Sequence, residues 1–346
     1  MQKIKTALLS YGMSGKVFHA PFLELHPGFE LTGAWERSKR LIQDDFPLVR
    51  SYGHLSDVLH DDIDLVIVNT PIQTHFEYAE AALLAGKHVL VEKAFTATVA
   101  EAESLQQLAQ TQKRQLAVFH NRRWDSDFRT VQDVLAKNIL GDLVEAEIHF
   151  DRYNPSLSAK KHKETNHAGA GILMDLGPHI IDQALVLFGF PDALFADIRT
   201  TRDHSLVDDW FDITLFYASL RVRLKAGFLV REPLPSYIVH GKKGSLIKSR
   251  GDVQEDELKR GKKPLVTDWG IEPLYKSGVL HTEIEGITVR ENIPTLHGNY
   301  YGFFDQLYRA IKKNGALPVS ARDGIDVMRI IEAAAESNKH KTRITL

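Results

Sequence analysis

Short apolar runs recur over the first 120 residues, and each is followed by an amphipathic or polar segment. The runs predict strands at residues 4–9, 29–35, 64–69, 89–91 and 115–119, and the intervening periodicity predicts helices at residues 74–85 and 101–111. Continuous apolar runs are typical of parallel strands that are buried on both faces. Strands that alternate with helices at this spacing predict right-handed βαβ units, and therefore an α/β domain on a doubly wound parallel sheet.

The pattern changes after residue 121, where strands follow one another without helices between them. The predicted strands cover residues 143–153, 194–202, 210–217, 221–230, 236–240 and 244–248, and helices are predicted at residues 172–188, 300–313 and 322–339. Consecutive strands predict an α+β domain with an open, mainly antiparallel sheet. A chain of 346 residues is also too long for one ordinary core. We therefore predict two domains, at residues 1–121 and 122–346, with residues 251–280 as a polar excursion over the surface.

Composition and charge exclude several classes of function. The 43 basic and 45 acidic side chains nearly cancel, which gives no electrostatic basis for binding nucleic acid or an anionic membrane. The chain has no cysteine, so disulfides, thiolate catalysis and cysteine-ligated zinc are excluded. It shows no signal-peptide pattern and no apolar run long enough to span a bilayer. We therefore expect a cytoplasmic protein without a nucleic-acid or membrane partner.

A glycine-containing turn follows the first predicted strand and precedes a predicted helix. Its sequence, SYGMSG at residues 10–15, has the layout of a dinucleotide-binding turn except that Ser10 replaces the first glycine. In such a turn glycines let the backbone approach a pyrophosphate, and the helix start offers unpaired N–H groups. Gly12, Met13, Ser14 and Gly15 are therefore candidate cofactor-binding residues of a Rossmann-type domain. A tight glycine turn without a ligand is the alternative.

The end of the second predicted strand carries signals for both nicotinamide cofactors. Glu36 is suited to the ribose 2′-hydroxyl of NAD, whereas Arg37, Ser38 and Lys39 offer donors suited to the 2′-phosphate of NADP. We predict a preference for NADP, with NAD as the alternative cofactor. A charged helix start that faces water is the interpretation without a ligand.

The strand at residues 89–91 ends abruptly in two charged residues, Glu92 and Lys93. The carboxyl ends of strands in an open α/β sheet face the ligand crevice. A partly desolvated lysine there can donate to a carbonyl oxygen or share a proton with a hydroxyl. Lys93 is therefore a candidate catalytic and substrate-binding residue, and a surface ion pair on a loop is the alternative.

A second group of polar residues accompanies the predicted helix at residues 172–188. Pro178 suits the first turn of a helix, which places Asp175 at or just before the helix start. His179 follows one turn later and Asp182 another turn on. An aspartate near a histidine can orient the imidazole and raise its basicity, as a general base requires. An N-cap role for Asp175 and a structural role for His179 are the alternatives.

Taken together, these stretches resemble the glucose–fructose oxidoreductase / inositol dehydrogenase / MocA (Gfo/Idh/MocA) family of nicotinamide oxidoreductases over essentially the whole chain. The matching residues are Gly12 and Gly15, Thr70-Pro71 with His75, Glu92-Lys93, Asn121-Arg122-Arg123, and Gly171, Asp175, His179 and Asp182. The resemblance is greatest to the NADP-dependent scyllo-inositol dehydrogenase subgroup, through the stretches GKVFHAPF, HNRRWDSDF, GPHIIDQ and RIIEAAAES. Ala94 departs from the proline that usually follows Glu-Lys in the family.

The resemblance implies an N-terminal Rossmann domain and a C-terminal sheet that packs against a partner subunit, and hence a homodimer or homotetramer. It also implies hydride transfer between the nicotinamide and a cyclic polyol or sugar, with scyllo-inositol favoured. Lys93 would hydrogen-bond the reacting oxygen, His179 would take or give the hydroxyl proton, and Asp175 would orient His179 or bind a neighbouring hydroxyl. The further cofactor-binding residues that it implies are Thr70, Pro71, His75, Glu92, Lys93, Asn121 and Arg122. Tyr153 is a candidate for binding substrate hydroxyls, with a structural polar role as its alternative.

Three other interpretations remain beside this one. The first is a non-catalytic NADP(H)-binding sensor, which would have no reason to keep Lys93, Asp175 and His179 together. The second is a dehydrogenase of the same family that acts on another sugar. The third is a metal site formed by His162, His167, Asp175 and His179. We expect no metal, because hydride transfer does not need one if Lys93 supplies the electrophile.

Overall fold

The computed structural model describes residues 3–36, 39–158, 164–165 and 167–346, and the chain divides into two compact units. The first unit contains Met1–Trp124, Val253–Trp269 and Asn299–Ile325, and the second contains Asp125–Asp252, Gly270–Gly298 and Asp326–Leu346. The division predicted at residues 121 and 122 differs from this grouping, since it treats the domains as consecutive. Two segments of the C-terminal half belong to the first unit.

The first unit is built on a parallel sheet. Its strands are β1 (Ile4–Leu8), β2 (Phe29–Trp35), β3 (Arg50–Tyr52), β4 (Leu65–Val68), β5 (His88–Glu92) and β6 (Leu116–Phe119). They lie in the order β3-β2-β1-β4-β5-β6, and neighbours pair in parallel. The prediction of a doubly wound parallel sheet is confirmed. The hydrophobic pattern did not reveal β3, because this short edge strand buries only Tyr52.

The helices of the structure include counterparts of the five whose bounds the sequence predicted, with two differences that have local causes. They are α1 (Ala20–Leu25), α2 (Ile42–Asp45), α3 (Leu55–His60), α4 (His75–Leu84), α5 (Val99–Thr111), α6 (Ser126–Ala136), α7 (Ile172–Asp175), α8 (Gly177–Phe188), α9 (Gln254–Lys259), α10 (Tyr300–Lys313) and α11 (Ala321–His340). Shorter helical turns lie at Gly15–His19, Ile72–Thr74, Asn121–Trp124 and Leu274–Lys276. Helix α5 begins before residue 101 because Thr98 and Glu101 form a capping box. The helix predicted at residues 172–188 is divided at Leu176 into α7 and α8.

None of the helices in the described ranges is long and apolar enough to cross a bilayer.

Aromatic packing against α10 holds a late segment of the chain on the first unit. Phe304 stacks on Phe22 with ring centroids 5.3 Å apart, and Phe303 meets the edge of Phe119 at 4.9 Å. All four rings are buried, and each buried aromatic ring removes a large apolar area from water. The stripe of apolar residues on α10 therefore finds its partner surface more than 180 residues earlier in the chain.

The second unit contains a mixed sheet. Its strands are β7 (Leu143–His149), β8 (Ala193–Arg199), β9 (Trp210–Phe216), β10 (Arg221–Gly227), β11 (Tyr237–Gly241), β12 (Gly244–Lys248), β13 (Gly278–Ile284), β14 (Ile287–Ile293) and β15 (Ile344–Thr345). They lie in the order β14-β13-β12-β11-β7-β10-β9-β8-β15. Strands β7 and β10 pair in parallel, and the other neighbours pair antiparallel. The prediction of a mainly antiparallel sheet is confirmed.

The segment predicted as a surface excursion, residues 251–280, contains α9 and the beginning of β13. Helix α9 has the sequence QEDELK and buries only Gln254 and Leu258. Such a short helix shows no apolar periodicity, so the hydrophobic pattern could not reveal it.

A buried ion pair joins β12 to the loop before β13 in the second unit. Lys248 Nζ lies 2.6 Å from Glu272 Oε2, and both side chains are almost completely buried. The ammonium also donates to the carbonyl oxygens of Ser249 and Lys276, and Ser126 Oγ donates to Glu272 Oε1 at 2.6 Å. Burial raises the pKa of Glu272 although these donors favour its charged form. Removing one partner would therefore leave the other charge buried and uncompensated.

We expect Lys248→Met to lower the free energy of unfolding by about 3–5 kcal/mol, because Glu272 loses its cation. The double variant Lys248→Met/Glu272→Leu should recover much of that loss, since apolar residues of similar volume can replace a buried pair. Urea denaturation followed by circular dichroism measures both changes. A double variant no more stable than Lys248→Met would contradict this account.

Candidate active site

The glycine turn connects β1 to the π-helical turn at Gly15–His19. Ser10 Oγ accepts a hydrogen bond from the Gly12 N–H at 3.1 Å, so the serine that replaces the first glycine braces the turn. A Cβ at Gly15 would lie 2.5 Å from the Ser10 carbonyl oxygen, which explains the need for glycine at that position. Met13 at the tip is about half exposed, at 51%. The predicted turn is therefore a preformed, solvent-facing loop at the carboxyl end of β1.

Asn69, which directly follows β4, is a polar residue of this region that the sequence did not single out. Its Nδ2 donates to the Ser10 carbonyl oxygen at 2.8 Å. Its buried Oδ1 accepts no hydrogen bond from any residue that the structure describes. A buried polar atom without a partner is uncommon, and here it lies beside a turn of the dinucleotide-binding type. This acceptor fits the presence of a hydroxyl-rich cofactor.

Thr70, Pro71 and His75 form a compact hydrogen-bonded corner after Asn69. Thr74 Oγ1 donates to the Pro71 carbonyl oxygen at 2.7 Å and accepts from Thr70 Oγ1 at the same distance. The buried His75 ring lies between two backbone carbonyls, with Nε2 2.8 Å from Thr70 O and Nδ1 2.9 Å from Ala94 O. Burial lowers the pKa of His75. In the first unit His75 thus holds the backbone that follows Lys93.

Glu92 lies at the carboxyl end of β5 and gathers donors from three places. Its Oε1 accepts from Ser14 Oγ in the glycine turn and from His19 Nε2 at 2.9 Å, and its Oε2 accepts from the Lys93 N–H at 3.2 Å. Burial disfavours the carboxylate, but the hydrogen bonds from His19 and Ser14 and the charge of Lys93 outweigh it and lower the pKa of Glu92. The structure thus brings three predicted site residues, Ser14, Glu92 and Lys93, together.

Lys93 follows β5 directly and is partly buried. The peptide bond between Lys93 and Ala94 is cis. The lysine lies at the edge of the parallel sheet where the ligand crevice of an open α/β fold is found.

Glu36 has structural partners in this unit. Its Oε1 accepts from the Leu41 N–H at 2.8 Å, and its Oε2 accepts from the Ile42 N–H at 3.3 Å and from Ser51 Oγ at 3.1 Å. The carboxylate therefore ties the start of α2 to β3. Arg37 and Ser38, the proposed phosphate ligands, lie outside the described residues.

The 3-10 turn at Asn121–Trp124 carries ion pairs that join distant segments of the first unit. Arg122 lies 2.6 Å from Glu255 on α9, and Arg123 lies 3.2 Å from Asp323 on α11. Burial opposes the charge of Glu255, but Arg122 and Lys259 outweigh it and lower the pKa of Glu255 to about 2. Asn121 is buried. The guanidinium groups thus account for part of the contact between this turn and the returning segments.

In the second unit, Asp175 ends α7 and His179 lies in the first turn of α8. His179 and Asp182 are buried, and the His179 ring centroid lies 6.2 Å from that of Phe150. The Arg250 guanidinium lies 4.1 Å from the Phe150 centroid on the same cluster. The predicted placement of Asp175 just before a helix that begins with Gly177-Pro178 is therefore correct.

Asp208 fixes the short helix that carries Asp175, and the sequence did not single it out. Its Oδ2 accepts from the Leu173 N–H at 2.8 Å, and its carbonyl oxygen accepts from the Ile172 N–H at 2.9 Å. A Cβ at Gly171, where φ is +88°, would lie 1.9 Å from Asp208 Oδ1, so only glycine fits there. Burial raises the pKa of Asp208. No sequence signal near residue 208 identifies it as the cap of a helix more than 30 residues earlier.

Tyr153 lies beyond β7, where it forms an isolated bridge with Leu229. Its hydroxyl accepts from Arg231 at 2.5 Å, and the Arg231 guanidinium lies 4.2 Å from the ring centroid. Tyr153 is 42% exposed, and its role in binding substrate hydroxyls stays a prediction.

The metal interpretation lacks a described donor set. His162 lies outside the described residues, and among the residues that are described no three His, Cys, Asp or Glu side chains are grouped to hold a metal ion.

Comparison with sequence models of protein families identifies both halves of the chain. Residues 4–120 match the NAD-binding Rossmann fold of the GFO/IDH/MocA oxidoreductase family. Residues 132–346 match the C-terminal alpha/beta domain of the same family.

Two curated proteins and one solved structure are similar along the whole chain. The scyllo-inositol 2-dehydrogenase (NADP(+)) IolW of Bacillus subtilis (strain 168) is 39% identical over 99% of this chain and 96% of its own length. The uncharacterised oxidoreductase YdgJ of Escherichia coli (strain K12) is 39% identical over 99% of both chains. The triclinic structure of Bacillus subtilis yvaA superposes with a TM-score of 0.95 at 38% identity, covering 100% of this chain and 99% of that one. With both family domains matched in order and relatives of this identity along the whole length, the chain belongs to the Gfo/Idh/MocA family of oxidoreductases.

Proposed function

We propose that this NAD(P)-binding oxidoreductase prefers NADP and acts on a CH–OH group of a cyclic polyol or sugar, with an inositol as the favoured substrate. The observation that carries the proposal is the arrangement at the end of β5. There Lys93 follows a carboxylate that is hydrogen-bonded to the glycine turn. The whole-chain similarity to a scyllo-inositol 2-dehydrogenase that uses NADP(+) supports the choice of substrate and cofactor.

The proposal gives Lys93 and His179 separate tasks on one hydroxyl. A bound nicotinamide supplies the site that accepts or donates the hydride. Loss of hydride from an alcohol is difficult unless the O–H proton also leaves, so His179 takes that proton as a general base. Lys93 donates to the same oxygen and stabilises the negative charge that develops on it. Asp175, one turn before His179, orients the imidazole or binds a neighbouring hydroxyl.

The partners of Glu36 favour NADP over NAD. A carboxylate that binds the ribose of NAD must accept hydrogen bonds from its hydroxyls. Glu36 already accepts three hydrogen bonds from Leu41, Ile42 and Ser51, which use most of the acceptor positions of a carboxylate. The donors for a 2′-phosphate in this proposal are Arg37, Ser38 and Lys39.

We further propose that the protein forms a homodimer or homotetramer through the open face of its second sheet. Strands β9 and β10 alternate between buried side chains and side chains that are partly or fully exposed. The second set includes Phe216, which faces the exposed Arg221 on β10, and Phe195 on β8 is 38% exposed. Aromatic and arginine side chains are enriched at protein interfaces.

We expect Lys93→Ala to lower kcat by about 10²–10³-fold and His179→Ala by about 10²–10⁴-fold, because each removes a group that acts on the reacting oxygen. The assay follows absorbance at 340 nm with NADP+ or NAD+ and a panel of inositols, hexoses and aldonates. The Kd for NADPH, measured by fluorescence, should change less than about threefold. Lys87→Ala is the matched control, since this lysine lies at the opposite end of β5 and donates to Asp61 O. Loss of NADPH affinity as large as the loss of turnover would contradict these roles. Tight NADPH binding by a wild type that turns over no substrate would favour the alternative of a non-catalytic NADP(H)-binding sensor.

We expect Arg37→Ala to raise KM for NADP+ by about tenfold or more while KM for NAD+ changes little. The reason is that a hydrogen bond to a charged group contributes about 1.5–3 kcal/mol, and only NADP carries the 2′-phosphate. Glu36→Gln should weaken the start of α2 and leave the ratio of the two KM values nearly unchanged. Equal losses for both cofactors in Arg37→Ala would contradict the phosphate-binding role.

We expect the molar mass of the wild type, measured by light scattering, to be that of a dimer or tetramer. The variant Phe195→Glu/Phe216→Glu should shift towards monomer, because two carboxylates would then be buried in the interface. Leu48→Glu is the control, since Leu48 is a fully exposed apolar residue of the first unit. A monomeric wild type would rule out the proposed assembly.

A further inference from the structure

We propose that Glu92 is a positioning residue that couples the glycine turn to Lys93, and that His19 holds Glu92 in place. The proposal rests on the role of Lys93 proposed above. It adds two residues, His19 and Glu92, that act through Lys93 and need not touch the substrate.

His19 is completely buried in the π-helical turn that follows the glycine turn. Its ring packs against Phe119 at 4.5 Å and Phe304 at 6.3 Å between centroids. Its Nε2 lies 2.9 Å from Glu92 Oε1, across 73 residues of sequence. A histidine in an aromatic pocket therefore reaches the residue before the proposed catalytic lysine.

The surroundings of the two ring nitrogens show which one serves Glu92. Nδ1 is buried and has no hydrogen-bond partner within the described part of the chain. A proton on Nδ1 would be an unpaired buried donor among aromatic rings, which is costly. The arrangement therefore favours the tautomer with its proton on Nε2, which donates to the Glu92 carboxylate.

Ser14 connects the same carboxylate to the glycine turn. A hydroxyl has one proton to donate, and Ser14 Oγ donates it to Glu92 Oε1. Because this proton is already used, the Ser14 hydroxyl would not also donate to a pyrophosphate at the turn. If the turn shifts when the cofactor binds, Ser14, a hydrogen-bond donor to Glu92, therefore moves with it.

Glu92 in turn acts on Lys93 in two ways. Its Oε2 accepts from the Lys93 N–H, which restrains the lysine backbone. Its negative charge attracts the Lys93 ammonium, and the charge of Lys93 contributes to the lowered pKa of Glu92. Without the His19 donor, the carboxylate would lose one of the bonds that offset its burial, and Lys93 would lose its fixed neighbour.

The same unit offers a matched histidine–carboxylate pair away from this edge. His26, at the end of α1, is buried, has Nε2 3.5 Å from Asp305 Oδ1, and packs against the Phe29 ring at 5.1 Å. His19→Phe and His26→Phe each keep aromatic packing and remove an imidazole nitrogen from a carboxylate. His26→Phe also removes the Nδ1 atom that accepts from the Gly28 N–H at 3.0 Å, so this control disturbs its surroundings at least as much as His19→Phe does. The two substitutions release different carboxylates, and only His19→Phe releases Glu92.

The test is a double-mutant cycle that combines His19→Phe with Lys93→Ala in the full-length protein. Steady-state kcat with the best substrate and the NADPH Kd are measured for each variant, with His26→Phe as the control. We expect His19→Phe to lower kcat about tenfold or more in the wild type and less than about twofold in Lys93→Ala, because effects that act through one residue are not additive. His26→Phe should change kcat less than about twofold in both backgrounds.

Two outcomes would overturn the proposal. One is an unchanged kcat in His19→Phe, and the other is an equal fold-loss in both backgrounds, which would mean that His19 acts independently of Lys93. Failure of the proposed function looks different, because Lys93→Ala alone would then leave turnover intact.

If circular dichroism shows that His19→Phe does not fold, Glu92→Gln replaces it in the same cycle, since it keeps the size of the side chain and removes its charge. An unchanged kcat in Glu92→Gln, or an equal fold-loss with and without Lys93, would then overturn the proposal.

Discussion

The first unit depends on burial of both faces of its parallel sheet at β4, β5 and β6, where polar side chains lie only at the ends of the strands. Strands β4 and β6 are buried at every position, and the residues that follow β4 and close β5 are Asn69 and Glu92. A buried polar group without a partner costs about 1–3 kcal/mol. Each of these side chains is therefore drawn to the neighbouring glycine turn, where Asn69 holds the Ser10 carbonyl and Glu92 holds the Ser14 hydroxyl. The same constraint that forms the sheet thus concentrates its chemistry at one edge.

The second unit meets a related requirement by a different route. Helix α7 has four residues, far fewer than a helix needs to be stable by itself. Asp208 supplies what the helix lacks, because its carboxylate and carbonyl accept the first N–H groups. Gly171 is required next to it because a side chain would occupy the space of that carboxylate. Asp175 is placed by this arrangement and not by its own helix propensity.

Two segments from the C-terminal half of the chain pack into the first unit and complete it. Gln254 Nε2 donates to the Trp124 carbonyl oxygen at 3.1 Å, and its Oε1 accepts from the Tyr300 N–H at 2.8 Å. One buried amide therefore joins three separate parts of the chain. Its donor and acceptor are both satisfied, as a buried amide requires. The ion pair between Arg122 and Glu255 acts in the same place.

The sequence by itself determined the features that depend on local period and local chemistry. Continuous apolar runs identified the buried strands, the order of the motifs identified the family, and Pro178 located the start of α8. The tertiary structure alone decided which atoms the polar residues meet. Glu36 accepts hydrogen bonds from the start of α2 and from β3. Glu92 accepts from His19 and Ser14, which lie 73 and 78 residues earlier in the chain. Asp208 accepts from the first turn of α7. The reason is physical. Hydrophobic periodicity depends on neighbouring residues and can be seen in the sequence. A hydrogen-bond partner depends on which residues the fold brings close together, and the sequence around either residue does not show this.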